Sequence, residues 1–144
     1  VHGCLTLGSE SVEDRNIVLR NIEVNMANRV LWLKMRPDTP QHYEYVKVEN
    51  ITGTTGSFLV VRPWTQFFKM DERKDMPLSQ CNNIIIKNIK MDCNKFFDVG
   101  ISDKYHLADF SFENINVTDK KPSFDKNLIE GTKVKNVFIN GKRQ

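Results

Sequence analysis

A short phrase recurs along the chain: an apolar residue, a variable one, a second apolar one, a charged one, then Asn and Ile. It reads Ile17-Val18-Leu19-Arg20-Asn21-Ile22, Val46-Lys47-Val48-Glu49-Asn50-Ile51, Ile84-Ile85-Ile86-Lys87-Asn88-Ile89 and Phe110-Ser111-Phe112-Glu113-Asn114-Ile115. A degraded copy, Val137-Phe138-Ile139-Asn140-Gly141, closes the series, with Asn-to-Asn steps of 29, 38, 26 and 26 residues. Repeats of this length signal a solenoid, in which each unit buries its apolar face only by stacking on its neighbours. The apolar positions alternate and are rich in Ile, Val and Phe, so each copy reads as a strand rather than a helix. The recurring Asn falls where such a strand must turn. Asn tolerates the left-handed backbone region, and stacked Asn side chains can form a hydrogen-bonded ladder. The expected fold is all-β: a right-handed parallel β-helix of about five coils, one partial domain over residues 1–144.

Each coil also carries a second strand. Leu5-Thr6-Leu7-Gly8, Leu31-Trp32-Leu33-Lys34, Leu59-Val60-Val61-Arg62 and Phe97-Asp98-Val99-Gly100 align, with their odd members apolar and expected in the core. The other members are expected to point outward in two columns, Thr6-Trp32-Val60-Asp98 and Gly8-Lys34-Arg62-Gly100, at about 4.8 Å per coil. This places Trp32, Lys34 and Arg62 on one outer face. The long step between Asn50 and Asn88 holds a loop from Pro63 to Pro77, with Trp64, Phe67, Phe68 and the charged run Asp71-Glu72-Arg73-Lys74-Asp75. A shorter excursion, Pro37-Asp38-Thr39-Pro40, follows Arg36. Insertions in solenoids collect along one face and wall a groove; packing of the loop aromatics on the coil beneath is the competing reading.

Composition narrows the function classes. Apolar residues at 40% and charged residues at 27% describe a chain that can fold around a core. No apolar run approaches the ~20 residues of a membrane helix. The net charge of +3 is spread out, without the dense basic stripe of a nucleic-acid binder, so neither nucleic acid nor a membrane is expected as partner. Cys4, Cys81 and Cys93 contain no C-x-x-C pair, so no metal site and no cofactor are expected. Buried free thiols fit better than a Cys81–Cys93 bridge, and Cys4 is expected to face the core.

The stretches Val1-His2-Gly3-Cys4-Leu5-Thr6-Leu7-Gly8-Ser9-Glu10 and Arg29-Val30-Leu31-Trp32-Leu33-Lys34 resemble glycoside hydrolase family 28, the pectin-cleaving polygalacturonases and their relatives. That family folds as a right-handed parallel β-helix and carries the motifs N-T-D, D-D, G-H-G and R-I-K in this order. His2-Gly3 corresponds to part of the third motif, with Val1 in place of its first Gly. Trp32-Leu33-Lys34 corresponds to the fourth, with only Lys34 identical. The run Trp32 to Pro40, the stretch Arg62 to Phe68 and the ending Asn136 to Gly141 are similar to a bacterial branch of the family.

The resemblance implies an inverting hydrolase of galacturonide bonds, secreted or periplasmic, acting on pectic polysaccharide. The aspartates of N-T-D and D-D have no counterpart in this chain, so by resemblance the chain alone is inactive. His2 is implied as an auxiliary catalytic residue beside those aspartates, and Lys34 as the ligand of a uronate carboxylate. Trp32 replaces the motif Arg and offers an aromatic platform instead. Arg36 or Arg62 could supply the lost guanidinium. A pectate lyase would need a calcium-binding carboxylate cluster, which the outward columns lack. The reading from another class is a non-catalytic solenoid that binds or adheres to carbohydrate. Asn50-Ile51-Thr52 and Asn116-Val117-Thr118 fit the N-glycosylation pattern, the first doubling as a ladder position. At the C-terminal end Lys142-Arg143 and the excursion Lys120 to Lys126 can blunt the last coil. The N-terminal coil has no such device, so a homodimer through Leu5, Leu7, Ile17 and Leu19 is expected.

Overall fold

The computed structural model describes residues 2–64, 66 and 75–144. The expectations for Phe67, Phe68 and the charged run over 71–74 lie outside the described residues. Seven strands form one sheet in sequence order: β1 (Leu5–Leu7), β2 (Glu13–Met35), β3 (His42–Pro63), β4 (Ser79–Val99), β5 (Tyr105–Asp119), β6 (Lys133–Ile139) and β7 (Lys142–Arg143). β1 to β6 pair in parallel, and β7 turns back antiparallel on Phe138 and Ile139.

The strand lengths force this sheet to coil. A straight strand of 23 residues such as β2 would be ~75 Å long. Only residues 36–41 separate its end from His42, which pairs with Glu13 at its start. Six residues reach at most ~25 Å. The chain must therefore wrap round and come back beside itself once per turn. That is a parallel β-helix.

The turns inside each coil are made by residues at positive φ. One corner holds Asn16, Tyr45, Asn83 and Asp109, and the next holds Asn21, Asn50, Asn88, Asn114 and Asn136, all with φ between 52° and 59°. At the second corner the side chains form the expected ladder. Asn50 Nδ2 donates to Asn21 Oδ1 (2.8 Å), Asn88 to Asn50 (2.9 Å), Asn114 to Asn88 (2.8 Å) and Asn136 to Asn114 (3.1 Å). The last rung corrects the sequence reading, which had placed it at Asn140. In register, Glu113 faces Lys135 and Ile115 faces Val137, so the fifth copy is Lys133-Val134-Lys135-Asn136-Val137. The discriminating feature is the charged residue before Asn: Lys135 precedes Asn136, whereas Ile139 precedes Asn140. Asn140 does other work, accepting from Asp119 N–H at 2.7 Å and donating to Asp119 O at 2.9 Å.

The core fills the coil interior. Val46, Val48, Ile51, Leu31, Leu33, Leu59, Val61, Ile84 and Ile86 are fully buried, stacked on their equivalents from coil to coil. Cys81 and Cys93 are buried free thiols, and Cys4 is partly buried against the core. At the C-terminal end Phe124, from the excursion after β5, packs within 5.1–6.2 Å of the rings of Phe96, Phe97 and Phe112. Its strand of origin stops there, and Ser123 Oγ bonds Phe97 O. Phe124 thus covers the Phe96-Phe97 end of β4 from within the Lys120 to Lys126 excursion. Gly53 marks the tightest backbone approach: with φ at 115°, a Cβ there would lie 1.9 Å from Val24 O.

Two tyrosines anchor strand ends from within the wall. Tyr43 OH donates to Lys34 O at 2.9 Å, and Tyr105 OH donates to Gly100 O at 2.5 Å. Burial raises the Tyr43 phenol and pushes the Tyr105 phenol up to about 12, from an ordinary 10.0. A raised folded value favours the protonated phenol, so this stability is fully present below pH 10 and is lost as pH climbs through about 12. Denaturant midpoints should hold up to pH 10 and fall from there to pH 12, with a shallower fall in Tyr105→Phe. The ladder gives a second expectation. Asn88→Ala removes two side-chain bonds and puts a Cβ-bearing residue without a local polar partner at φ 55°. It should cost ~2–3 kcal/mol in equilibrium unfolding, and Asn88→Gly should recover ~1 kcal/mol of that because Gly is at ease there.

Candidate functional site

The outer face of residues 29–35, 57–63 and 95–99 carries a cleft of about 490 Å³ lined by Arg29, Trp32, Val60, Arg62, Trp64 and Asp98, among others. Strand register creates it. Trp32 faces Val60, which faces Asp98, and Lys34 faces Arg62, so residues distant in sequence stand one above another. Trp64 arrives at the end of β3, where its N–H donates to Met35 O at 2.7 Å. Its ring meets Trp32 edge-to-face, with centroids 5.5 Å apart and planes at 68°. Among the described residues its buried Nε1 has no hydrogen-bond acceptor.

Cations surround this aromatic pair. Lys34 Nζ lies 4.2 Å from the Trp32 ring centroid and 4.1 Å from that of Trp64, and the Arg29 guanidinium lies 4.0 Å from Trp32. An ammonium between two indole faces is held by their quadrupoles, worth ~0.5–2 kcal/mol per contact. Lys34, the carboxylate ligand implied by the resemblance, has its ammonium over both tryptophan rings. Asp98 sits at the foot of the cleft, 8% exposed, bonded by Arg62 and by Lys95 Nζ at 2.8 Å. Arg62 still shows 58% of its side chain to solvent, so part of its donor fork remains open.

The structure revises the outward columns in one respect. Val60 and Asp98 point out of the coil yet are buried, at 4% and 8%, because Trp64 and the cationic side chains raise walls over them. Arg36 is not in the cleft. Its guanidinium forks onto Asp38 at 2.8 Å twice and reaches Glu10 at 3.2 Å, while its N–H donates to Gln41 Oε1. Gln41 in turn donates to Ser9 O and Ser11 O at 3.0 Å. Arg36 thus ties together the connection between β2 and β3, where it has carboxylates of its own. His2 is exposed. Continuing the β1–β2 register places it beside Asn28, at the rim of the cleft and two coils away from Ser57 and Arg62.

Arg29 and Lys95 belong to the site and do not stand out in the sequence. Strict alternation counted back from Leu31 would turn residue 29 inward. Instead Val30 and Leu31 are both fully buried, as are Phe58 and Leu59, and Phe96 and Phe97 are at 0% and 2%. Two consecutive inward residues shift the parity, and Arg29, Ser57 and Lys95 form a further outward column in register. The repeated apolar doublet was the available signal.

Compared with known proteins, the chain matches no family model, no curated protein and no solved structure. The site therefore has to be interpreted from its own geometry. Lys34→Met keeps the aliphatic stem and removes the charge between the indoles. It should change the near-ultraviolet circular dichroism of the tryptophan pair and lower stability by ~1 kcal/mol, with the far-ultraviolet spectrum unchanged.

Proposed function

We propose that residues 1–144 are coils of a pectin-degrading glycoside hydrolase, secreted or periplasmic, and that the cleft forms part of its groove for galacturonate-containing chains. The observation that carries this reading is the Trp32–Trp64 pair ringed by Arg29, Lys34 and Arg62. An indole face stacks on the apolar face of a sugar ring. The open part of the Arg62 fork suits a uronate carboxylate. Arg62, one coil on from Lys34, supplies a guanidinium in place of the motif arginine, and His2 has the auxiliary role.

Hydrolysis with inversion needs two carboxyl groups ~6.5–9.5 Å apart, one acting as acid and one as base. Among the described residues lining the cleft Asp98 is the one carboxylate, and it is held between Arg62 and Lys95. The catalytic pair of the proposed enzyme therefore lies outside the described lining of the cleft, and that lining contributes binding. That same observation favours the second reading, a non-catalytic carbohydrate-binding solenoid.

Titration calorimetry separates the outcomes. Oligogalacturonate should bind and weaken with added salt, because the Arg62 contact is exposed. Arg62→Ala should weaken it ~5–10-fold and leave neutral galacto-oligosaccharides unaffected. Trp32→Ala should reduce binding of both. The chain should release no reducing ends from polygalacturonate. Equal loss for charged and neutral sugars in Arg62→Ala, or no binding of either, would sink the proposal; turnover that vanishes in Asp98→Asn would overturn the division of labour.

A further inference from the structure

The charges on the cleft do not balance. Asp98 is the one carboxylate among the described residues that line it, and Arg62 and Lys95 already share it. Arg29 meets no carboxylate among the described residues; its guanidinium lies 4.0 Å from the Trp32 ring centroid. The contrast with Arg36 is direct. Both arginines are partly buried, yet Arg36 forks onto Asp38 and reaches Glu10, whereas Arg29 rests against an aromatic ring. A ring beneath a guanidinium offsets part of its desolvation and leaves the in-plane N–H donors for an anion.

Register sets how far Arg29 lies from the other open guanidinium. Arg29 is held at the level of Trp32 on β2, and Arg62 bonds Asp98 on β4. Trp32, Val60 and Asp98 stand in register on these strands and β3 between them. The two levels are therefore two strand spacings, about 10 Å, apart. That is too far for the oxygens of one carboxylate, each of which must come within ~2.9 Å of its donor. The floor between the two levels is Val60, 4% exposed. The cleft thus offers a cation at each end of an apolar floor, along the stack of coils rather than along a strand.

We infer that Arg29 is a second carboxylate-binding residue, and that the cleft reads two uronates of one chain, one at Arg29 and one at Arg62. This rests on the carbohydrate reading of the cleft and narrows it. The bound stretch must be acidic at both positions, so a chain with esterified carboxyl groups loses both contacts. Each planar fork suits a carboxylate where a point charge would not fix its orientation. Once one uronate is seated, the second contact is intramolecular, so a ligand long enough to make both gains far more than a short one.

A length series of oligogalacturonates from the monomer upward tests this on the full chain, by NMR titration of the indole N–H signals of Trp32 and Trp64. Affinity should rise about tenfold at the length that first brings a second carboxylate to Arg29. Methyl-esterified oligomers should show no such step. In Arg29→Gln the step should vanish while the monomer binds much as before, and Arg29→Lys should keep part of it. Arg62→Gln should weaken the monomer as well. A step that persists in Arg29→Gln, or affinity independent of length in the parent chain, overturns the second position and leaves the carbohydrate reading standing. Loss of monomer binding together with the step in Arg29→Gln assigns Arg29 to the fold and likewise overturns the inference. No binding at any length overturns both.

Discussion

Closing a coil depends on bending an extended strand sharply without breaking its pairing to the coils on either side. A residue at positive φ does this in one step, and every other feature of the molecule follows from where those residues fall. Left-handed backbone costs most L-residues ~1–2 kcal/mol, and Asn reduces that cost with a short polar side chain that bonds locally. Here the local partner is the Asn of the preceding coil. The ladder of Asn21, Asn50, Asn88, Asn114 and Asn136 therefore solves the backbone problem and sets the register together. A slip by one residue would break the amide chain and turn the core side chains outward. The first corner, with Asn16, Tyr45, Asn83 and Asp109, has the same backbone and no comparable ladder. It is carried by its neighbours.

Once register is set, the surface is set too. Parallel stacking multiplies each outward position into a column, and the cleft is where several columns of complementary character meet. Trp32 above Val60 and Asp98, Lys34 beside Arg62, and Arg29 in line with Lys95 are separated by dozens of residues and brought within a few ångströms by repetition alone. Trp64 completes the site from the end of β3. The result mixes apolar faces with cations that are partly neutralised. Asp98 holds Arg62 and Lys95, and the indoles hold Lys34. Such a site is ordered before a ligand arrives, so less conformational entropy is lost on binding.

The parts of this molecule that could be read in advance are those imposed by period. Alternating Ile, Val and Phe identified the strands, and the spacing of Asn identified the corner. The face shared by Trp32, Lys34 and Arg62 followed from alignment of the coils. Reading faltered where period two breaks or where two candidates compete. Asn140 competes for the ladder position because it follows an apolar triplet, although the charge before Asn136 marks the true one. Arg29 and Lys95 do not stand out because an apolar doublet at the bend reverses the parity. Arg36 seemed available because its partners, Asp38 and Glu10, belong to a connection whose path no periodicity encodes.

The sequence by itself determined the coiled, all-β architecture, since only stacked coils can bury this alternating pattern and satisfy a recurring corner Asn. It also determined which side chains share an outer face, because register in a solenoid is one-dimensional. What the tertiary structure decided was the state of each charged group on that face: Lys34 held between two rings, Asp98 between two cations, Arg36 withdrawn into a turn and Arg62 left partly open. Those outcomes depend on distances between side chains from different coils and connections, and a Coulombic or cation–π contact changes greatly over a few ångströms that sequence spacing does not specify.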